Sequence, residues 1–343
     1  MMQPKRYGGY EFDYGVLIDA CAELGRGCGS TTWVVSNIVA RAWTWGMAPP
    51  QGQDDLWGDD PDVLTSSSWP TATAKVTKVD GGLVLDGAWN FASGVDLAEW
   101  NMFNAFLPRP GGGLPIHHFV LVPKADYDVV DDWFVTGLIA TGSKSTVIRN
   151  VFVPQHRILS TEDCRGGPTP GSAINPSPLY RLSMWASGVK LFSAPVLGIA
   201  RGALDAVEED LAKRVGIGGA KIAELQSAQM RFAEADGDID AAWALLLRDN
   251  ADAMRLAANG QAPDQVTRVR WRRNDALATR MCVRAVEMLH PLMGGRGLVA
   301  DSFFQRQFRD VHAASSQLLL AWDPNATLYG RVRLGLPAND PRI

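Results

Sequence analysis

The sequence predicts an α+β protein in three successive parts: helices, then strands, then a helical bundle. Apolar residues recur three or four positions apart near both ends of the chain, the mark of amphipathic helices. Between about Thr65 and Leu159 the texture changes to short strand-like runs, two of them stopped by proline. Residues 160–182, rich in Pro, Gly and Ser, read as a linker. The parts are therefore 1–62, 63–160 and 161–343. With 343 residues, 46% of them hydrophobic, the chain can bury a sizeable core.

The first helical stretch runs over 13–47, through VLIDACAEL and STTWVVSNIVARAW, and MAPPQGQDDLWGDDPD reads as a loop. In the middle part AKVTKV and LVLDGAWNF flank Asp80-Gly81-Gly82, a turn signal, and HHFVLVP and STVIRNVFVP supply two more strands. Beyond the linker, Val189, Phe192, Val196, Ile199, Ala203, Val207 and Leu211 line one helical face. A second helix carries Ile222, Leu225, Phe232, Ile239, Trp243 and Leu246. A third runs from about Asp264 to His290, with Pro263 at its start and Gly294-Gly295 as its stop, and a fourth from about Ser302 to Tyr329. Four such helices suggest a four-helix bundle. No internal repeat is present.

The formal net charge of −4 argues against nucleic acid or an anionic membrane as a partner. Cys21, Cys28, Cys164 and Cys282 show no C-x-x-C spacing and read as reduced thiols of a cytoplasmic protein. No long uncharged apolar run occurs, and the opening MMQPKRYGGYEFDY is no signal peptide. The five histidines, His117, His118, His156, His290 and His312, lie in no G-x-S-x-G or metal-ligand context, so each reads as a surface or satisfied core residue and no metal is expected. No G-x-G-x-x-G follows a strand. The stretch GAWNFASGVDLAEW is unusual for a core strand: it sets Ser93 beside Gly94 and next to aromatic faces, where a flat cofactor could meet the backbone. The run RVRWRRNDALATRMCVR, with Arg268, Arg272, Arg273, Arg280 and Arg284, reads mainly as a solvated or inter-subunit face, with a clamp for a ligand's phosphate as the functional alternative.

Several segments in order, QDDLWGDDPDVLTSSSWPTATA, VDGGLVLDGAWNFASGVDLAEW, WFVTGLIATGSKSTVIRNVFVPQHRIL, GIARGALDA and QRQFRDVHAASS, resemble the acyl-CoA dehydrogenase fold superfamily. More narrowly, they resemble the oxygenase components of two-component flavin-dependent aromatic monooxygenases, such as the p-hydroxyphenylacetate hydroxylases. The resemblance implies a β-barrel-like middle domain and a reduced flavin, FMN or FAD, delivered by a separate reductase. It further implies a small aromatic or polycyclic substrate hydroxylated with O2, and a homotetramer. Flavin contacts are implied at Ser67, Trp89, Phe91, Ser93, Gly142, Ser143, Gly294 and Gly295, with the Ser93 hydroxyl near flavin N5.

Departures from the family pattern shape the expectation. Ala72 stands where the family favours glycine after Ser67-x-x-Pro70. Arg41 and Gln317 stand where relatives carry histidines that point at the substrate, so an arginine is expected to hold a phenolate or carboxylate by charge-assisted hydrogen bonds. Arg309-Asp310 is followed by VHAASSQLLLAW, which lacks the glutamate base of many dehydrogenases. That weighs against an acyl-CoA dehydrogenase-type oxidoreductase; a non-catalytic flavin-binding subunit is the other alternative. The chain starts almost at its P-x-x-Y-G-G match, Pro4 to Gly9, so the front helices are expected to be truncated relative to the family and to leave apolar faces uncovered.

Overall fold

The computed structural model describes residues 1–216, 218–340 and 342. The stretch read as one helix over 13–47 forms two, α1 (Tyr14–Gly27) and α2 (Gly29–Trp45). Cys28 divides them because its extended backbone (φ −157°, ψ 116°) ends one helix and starts the next. Asp13 caps α1, its carboxylate accepting the Gly15 N–H at 2.7 Å. The segment read as a loop contains α3 (Pro50–Trp57), opened by Pro50 where a missing N–H costs nothing.

Eight strands follow: β1 (Thr65–Pro70), β2 (Lys75–Val79), β3 (Gly82–Ala92), β4 (Trp100–Leu107), β5 (Ile116–Pro123), β6 (Asp128–Val130), β7 (Lys144–Pro154) and β8 (Ile158–Ser160). They form one sheet in the order β6-β7-β3-β1-β4-β5-β8, with β2 on β3. The β1–β4 pair is parallel and the other pairs are antiparallel. The Asp80-Gly81 turn brings Val79 opposite Gly82, as its residues require. The two arms of the sheet share one core, where Trp89 of β3 meets Phe103 of β4 edge-on at 5.1 Å. Sequence pattern misses β4 because Asn101 and Asn104 break its apolar run, and both are buried.

A short α4 (Met184–Ser187) follows the linker. Beyond it come α5 (Lys190–Lys213), α6 (Gln226–Ala258), α7 (Gln265–Met293), α8 (Phe303–Ser315) and α9 (Trp322–Arg333). The expected fourth helix over 302–329 is thus two. Gln317 leaves helical geometry (φ −63°, ψ 126°) and its side chain accepts the Leu319 N–H at 2.5 Å, and Pro324 sits in the first turn of α9. The front helices and the later ones bury their apolar faces in a common core, while Tyr10, Phe12, Val16 and Leu24 are exposed.

The contact between α1 and α5 is backbone on backbone. A Cβ added at Gly198 would lie 2.0 Å from the Cys21 carbonyl oxygen, and one at Gly25 would lie 2.5 Å from the Gly198 carbonyl carbon. One added at Gly202 would meet Gln307 Nε2 at 2.2 Å. The GIARGALDA segment therefore owes its glycines to two close approaches. Gln307 of α8 seals the crossing by donating to the carbonyls of Gly25 (2.8 Å) and Arg26 (3.3 Å), at the end of α1.

The arginine-rich face of α7 is mostly partnered. Arg284 pairs with Asp238, Arg273 lies over the Tyr329 ring (4.4 Å), Arg280 lies over Trp322 (5.3 Å), and Arg268 donates to the Pro263 carbonyl (3.2 Å). Arg272 differs from the expected solvated face, being 3% exposed.

Replacing Gly198 by Ala is expected to cost about 1–3 kcal/mol in urea unfolding, because the helices must separate. Replacing Gly237, whose added Cβ meets nothing within 4 Å in α6, is expected to stabilise by about 0.5–1 kcal/mol. Equal effects at the two sites would contradict the close crossing.

Candidate active site

An inner cleft separates the sheet from the helices. Ser67 and Trp69 of β1, Asn104 of β4 and Phe119 of β5 form one wall, and Arg41 of α2, Trp185 of α4, Phe192 of α5 and Leu319 lie opposite. Its free volume is about 30 Å³, and among the described residues no carboxylate lines it. Arg41 is 7% exposed, its Nε has no partner, and its guanidinium makes no hydrogen bond or ion pair among the described residues. The Phe119 ring, 5.9 Å away, is its recorded cation–π contact. Burial lowers its pKa to about 10, and the buried Tyr14 hydroxyl offsets this only in part. A buried cation without an acid partner is costly unless an anion or strong acceptor joins it.

A line of polar groups crosses the sheet beneath the cleft. Asn104 Nδ2 donates to the Ser68 carbonyl (2.7 Å) and to Ser67 Oγ (3.1 Å), which fixes Asn104 Oδ1 towards His117 Nε2 at 2.7 Å. An amide oxygen only accepts, so His117 carries its proton on Nε2 and bears a lone pair on Nδ1. That Nδ1 is buried without a partner. Trp69, Phe106, Phe119 and Trp185 surround the ring with centroids 4.8–5.8 Å away. Burial, helped by His118, Arg342 and Arg41, drives the pKa of His117 down to about 3. The reading of every histidine as satisfied or superficial therefore needs correction at His117. His118 points the other way, is half-buried, and lies with its Nδ1 3.1 Å from the Ile116 carbonyl.

The F-A-S-G stretch ends β3. Phe91 (φ 64°) is 59% exposed, and Gly94 (φ 72°) is pressed so closely on α2 that a Cβ there would lie 2.8 Å from Val34 Cγ1. Ser93 is buried in a hydroxyl chain: Trp33 Nε1 donates to its Oγ (3.2 Å), which lies 2.8 Å from Ser143 Oγ, itself 2.7 Å from Thr141 Oγ1. Thr141 donates to the Leu138 carbonyl at 2.8 Å. Each hydroxyl has one proton, so Thr141 must accept from Ser143 and Ser143 from Ser93. Ser93 thus accepts from Trp33, gives its proton to Ser143, and retains one free lone pair.

The other expected positions scatter. Trp89 is buried in the sheet core, its Nε1 donating to the Asn104 carbonyl at 2.8 Å. Gly142 (φ 50°) precedes β7 next to Ser143, while Gly294 and Gly295 are exposed at the end of α7. Gln317 lines neither cavity: its side chain is spent on the Leu319 N–H, and Leu319 faces the inner cleft instead. Ser67 and Arg41 share the cleft; Ser93 lies in the chain behind it. Trp33, Asn104, Thr141 and Trp185 escaped the sequence reading. Of these only Asn104, a polar residue in an apolar strand run, left a visible signal.

A larger outer cavity of about 580 Å³ lies beyond Trp185 and His117. Trp185 borders both spaces.

Residues 190–321 match the family model described as acyl-CoA dehydrogenase, C-terminal domain. Over 348 residues the chain is 36% identical to the flavin-dependent monooxygenase oxygenase subunit HsaA of Rhodococcus jostii (strain RHA1), covering 100% of this chain and 90% of that protein. It is 35% identical to the oxygenase component of the FADH2-dependent resorcinol hydroxylase of Rhizobium sp. (strain MTP-10005), covering 98% of this chain and 84% of the relative. The chain belongs to the oxygenase components of the flavin-dependent monooxygenases. The crystal structure of 3-HSA hydroxylase from Rhodococcus sp. RHA1 superposes with a TM-score of 0.94 at 34% identity, covering 100% of this chain and 88% of that one. The protein is a flavin-dependent oxidoreductase of acyl-CoA dehydrogenase fold. No helix among the described residues is long and apolar enough to cross a membrane.

The polar groups of the cleft suit an oxygen-bearing ligand, while its free volume of about 30 Å³ is far too small for a flavin ring as the walls now stand. The Ser67 hydroxyl accepts from Asn104 and keeps its own proton for a ligand, and Arg41 offers unmet donors.

The burial of neutral His117 has a pH consequence. Its folded pKa, about 3, lies below the ordinary 6.5, so its contribution to stability is present above about pH 6.5 and is lost as pH falls towards 3. The slope attributable to it is at most about 1.4 kcal/mol per pH unit. Denaturant titrations of the native chain and of His117→Gln across pH 7 to 4 are expected to diverge, with the variant less sensitive to acid; parallel curves would contradict a buried neutral imidazole.

Proposed function

We propose that this chain is the oxygenase component of a two-component system that hydroxylates a small aromatic compound with O2, using reduced FMN or FAD delivered by a separate reductase. The observation that carries the reading is Arg41, a buried guanidinium without an acid, in a cleft that lacks a carboxylate base. Bound reduced flavin supplies the electrons that activate O2 for transfer of one oxygen atom to the ring. Arg41 holds the phenolate oxygen of the substrate and favours its ionised form by charge-assisted hydrogen bonds, a role that needs no neutral imidazole at that position.

Ser93 supports the preference for reduced flavin. Its proton is committed to Ser143, so it presents a lone pair, which suits the N–H at N5 of reduced flavin and not the bare nitrogen of the oxidised ring. Gln317 acts as a positioning residue, setting Leu319 into the cleft through its backbone cap. The acyl-CoA dehydrogenase alternative lacks its base: Asp310 is tied to the Leu138 N–H (2.6 Å), and Asp323 faces the outer cavity. The chain is further read as a cytoplasmic homotetramer. Its exposed apolar side chains Phe134, Ile139 and Leu298 support that assembly, which light scattering would refute by finding a monomer.

The protein with NADH alone is expected to be inert, and to form hydroxylated product when a flavin reductase is added. Arg41→Gln is expected to lower kcat/KM for a phenolic substrate about tenfold or more, with more reduced flavin lost to hydrogen peroxide. Ser93→Ala is expected to lose about 1 kcal/mol of stability while the ratio of product to peroxide falls. A ratio unchanged in both variants would contradict these roles, and absence of product with a panel of phenols would favour a non-catalytic subunit.

A further inference from the structure

Beside Arg41, the helical side of the inner cleft is built largely from one run of chain. Met184, Trp185, Gly188, Val189, Leu191 and Phe192 all line it, opposite the sheet. The sheet wall is tied by ladder hydrogen bonds and by the bonds of Asn104 to Ser67 and Ser68. The helical run has less support of its own. Its α4 has four residues and no side-chain cap, and Trp185 Nε1 and Ser187 Oγ are buried without a partner among the described residues.

Pro195 removes one bond from the first turns of α5. In a helix the N–H of residue 195 would meet the carbonyl of Leu191, and proline has no N–H to give. The Leu191 carbonyl receives instead the hydroxyl of Ser36, a fully buried residue of α2, at 2.6 Å. Without that donor a buried carbonyl would be left unmet. The same helix α2 carries two further groups of the site. Trp33 donates to Ser93 at 3.2 Å and packs on the Phe192 ring at 5.5 Å, and Arg41 lines the cleft. On its far flank this part of α5 is held by Asp275 of α7, which accepts from Ser193 at 2.7 Å and lies 3.7 Å from Lys190 Nζ. The turn that presents Leu191 and Phe192 thus hangs between two side chains, and the Ser36 bond ties it to the helix of Arg41.

We infer that Ser36 is a positioning residue: through the carbonyl that Pro195 leaves free, it holds the turn of Leu191 and Phe192 in register with Arg41 and keeps water from the guanidinium. Water at Arg41 would fill its unmet donors and screen its charge, weakening its hold on a phenolate oxygen. The effect on turnover rests on the oxygenase reading. The latch itself does not.

A compensating pair of substitutions tests the inference. Ser36→Ala strips the Leu191 carbonyl of its donor, and Pro195→Ala offers it a backbone N–H in exchange. Hydrogen exchange of the amides at 185–194 is read by mass spectrometry on the full chain as purified. It is expected to quicken about fivefold in Ser36→Ala, as loss of one hydrogen bond implies, and to return most of the way in the double variant. With a flavin reductase and a phenolic substrate, Ser36→Ala is expected to raise KM several-fold and to lower the ratio of product to peroxide about twofold or more. The added Pro195→Ala is expected to restore both. Ala241→Gly, on the exposed face of α6, weakens the fold to a similar degree and is expected to move neither. Exchange unmoved by Ser36→Ala, or not restored by Pro195→Ala, overturns the latch and leaves the oxygenase reading standing. An active Ser36→Ala protein with native KM and native product ratio overturns the positioning role. Should Ser36→Ala fail to fold, a double variant that folds supports the inference and one that does not overturns it. The exchange is read without flavin, reductase or oxygen, so a native chain that yields no product would count against the oxygenase reading and leave the exchange to decide the latch.

Discussion

The hydrogen bond from the Leu138 N–H to Asp310 is the contact on which the geometry of the site depends. Leu138 sits in a left-handed conformation (φ 54°), and its carbonyl ends the hydroxyl chain that begins at Trp33 and passes through Ser93. Asp310 is buried, with its pKa raised by desolvation and only partly restored by the Leu138 bond, so removing the N–H would strand a buried carboxylate. It lies three residues along α8 from Gln307, which closes the end of α1. One turn of α8 therefore fixes the front helices against the sheet. The glycines at 25, 198 and 202 let those backbones come close enough for that turn to reach both.

This framework explains why the R-D pair lies in the same segment as Gln307. In this chain Arg309 donates to the Ala300 carbonyl (2.9 Å) and Asp310 serves the loop before β7, so neither is free for proton abstraction in the cleft. The proposed chemistry rests instead on Arg41, and the cavities hold buried cations where a carboxylate base would be needed. Arg41 and Arg272 are both buried, both have donors unmet, and both have pKa values lowered to about 10 by desolvation. Two such groups bordering adjoining cavities cost stability in the free protein, a cost that binding an anionic or acceptor-rich ligand would recover. Lys190 and Asp275 show the contrasting case: a buried pair 3.7 Å apart, with Ser193 donating to Asp275 at 2.7 Å, placed inside the core and open to neither cavity.

Local signals in the sequence carried much of the fold. The Asp80-Gly81-Gly82 turn, the proline-ended strands β5 and β7, and the periodic faces of α5 to α7 all report backbone preferences that tertiary contacts merely reinforce. The break at Cys28 and the division between α8 and α9 carried weaker signals: Gly27 and Gly29 flank Cys28 and Pro324 lies in the first turn of α9, but the departing residues, Cys28 and Gln317, are not themselves helix breakers. Within the site, Ser67 and Arg41 could be placed from their motif context. The direction of the hydroxyl chain through Ser93 could not, because it depends on Thr141 and Leu138 some forty-five residues on, brought close by the sheet. Arg272 was hidden in a basic run whose other members are partnered or solvated; only tertiary packing distinguishes it. Trp89 shows the reverse: an aromatic beside the F-A-S-G stretch that alternation turns into the sheet core.

The chain uses reduced flavin to put an oxygen atom from O2 onto an aromatic ring. Turnover under 18O2 with a flavin reductase and a phenolic substrate tests it most directly, with mass spectrometry of the product. One atom of label per product molecule is the predicted result. Product bearing oxygen from water, or oxidation of an acyl-CoA with no label incorporated, would contradict the account.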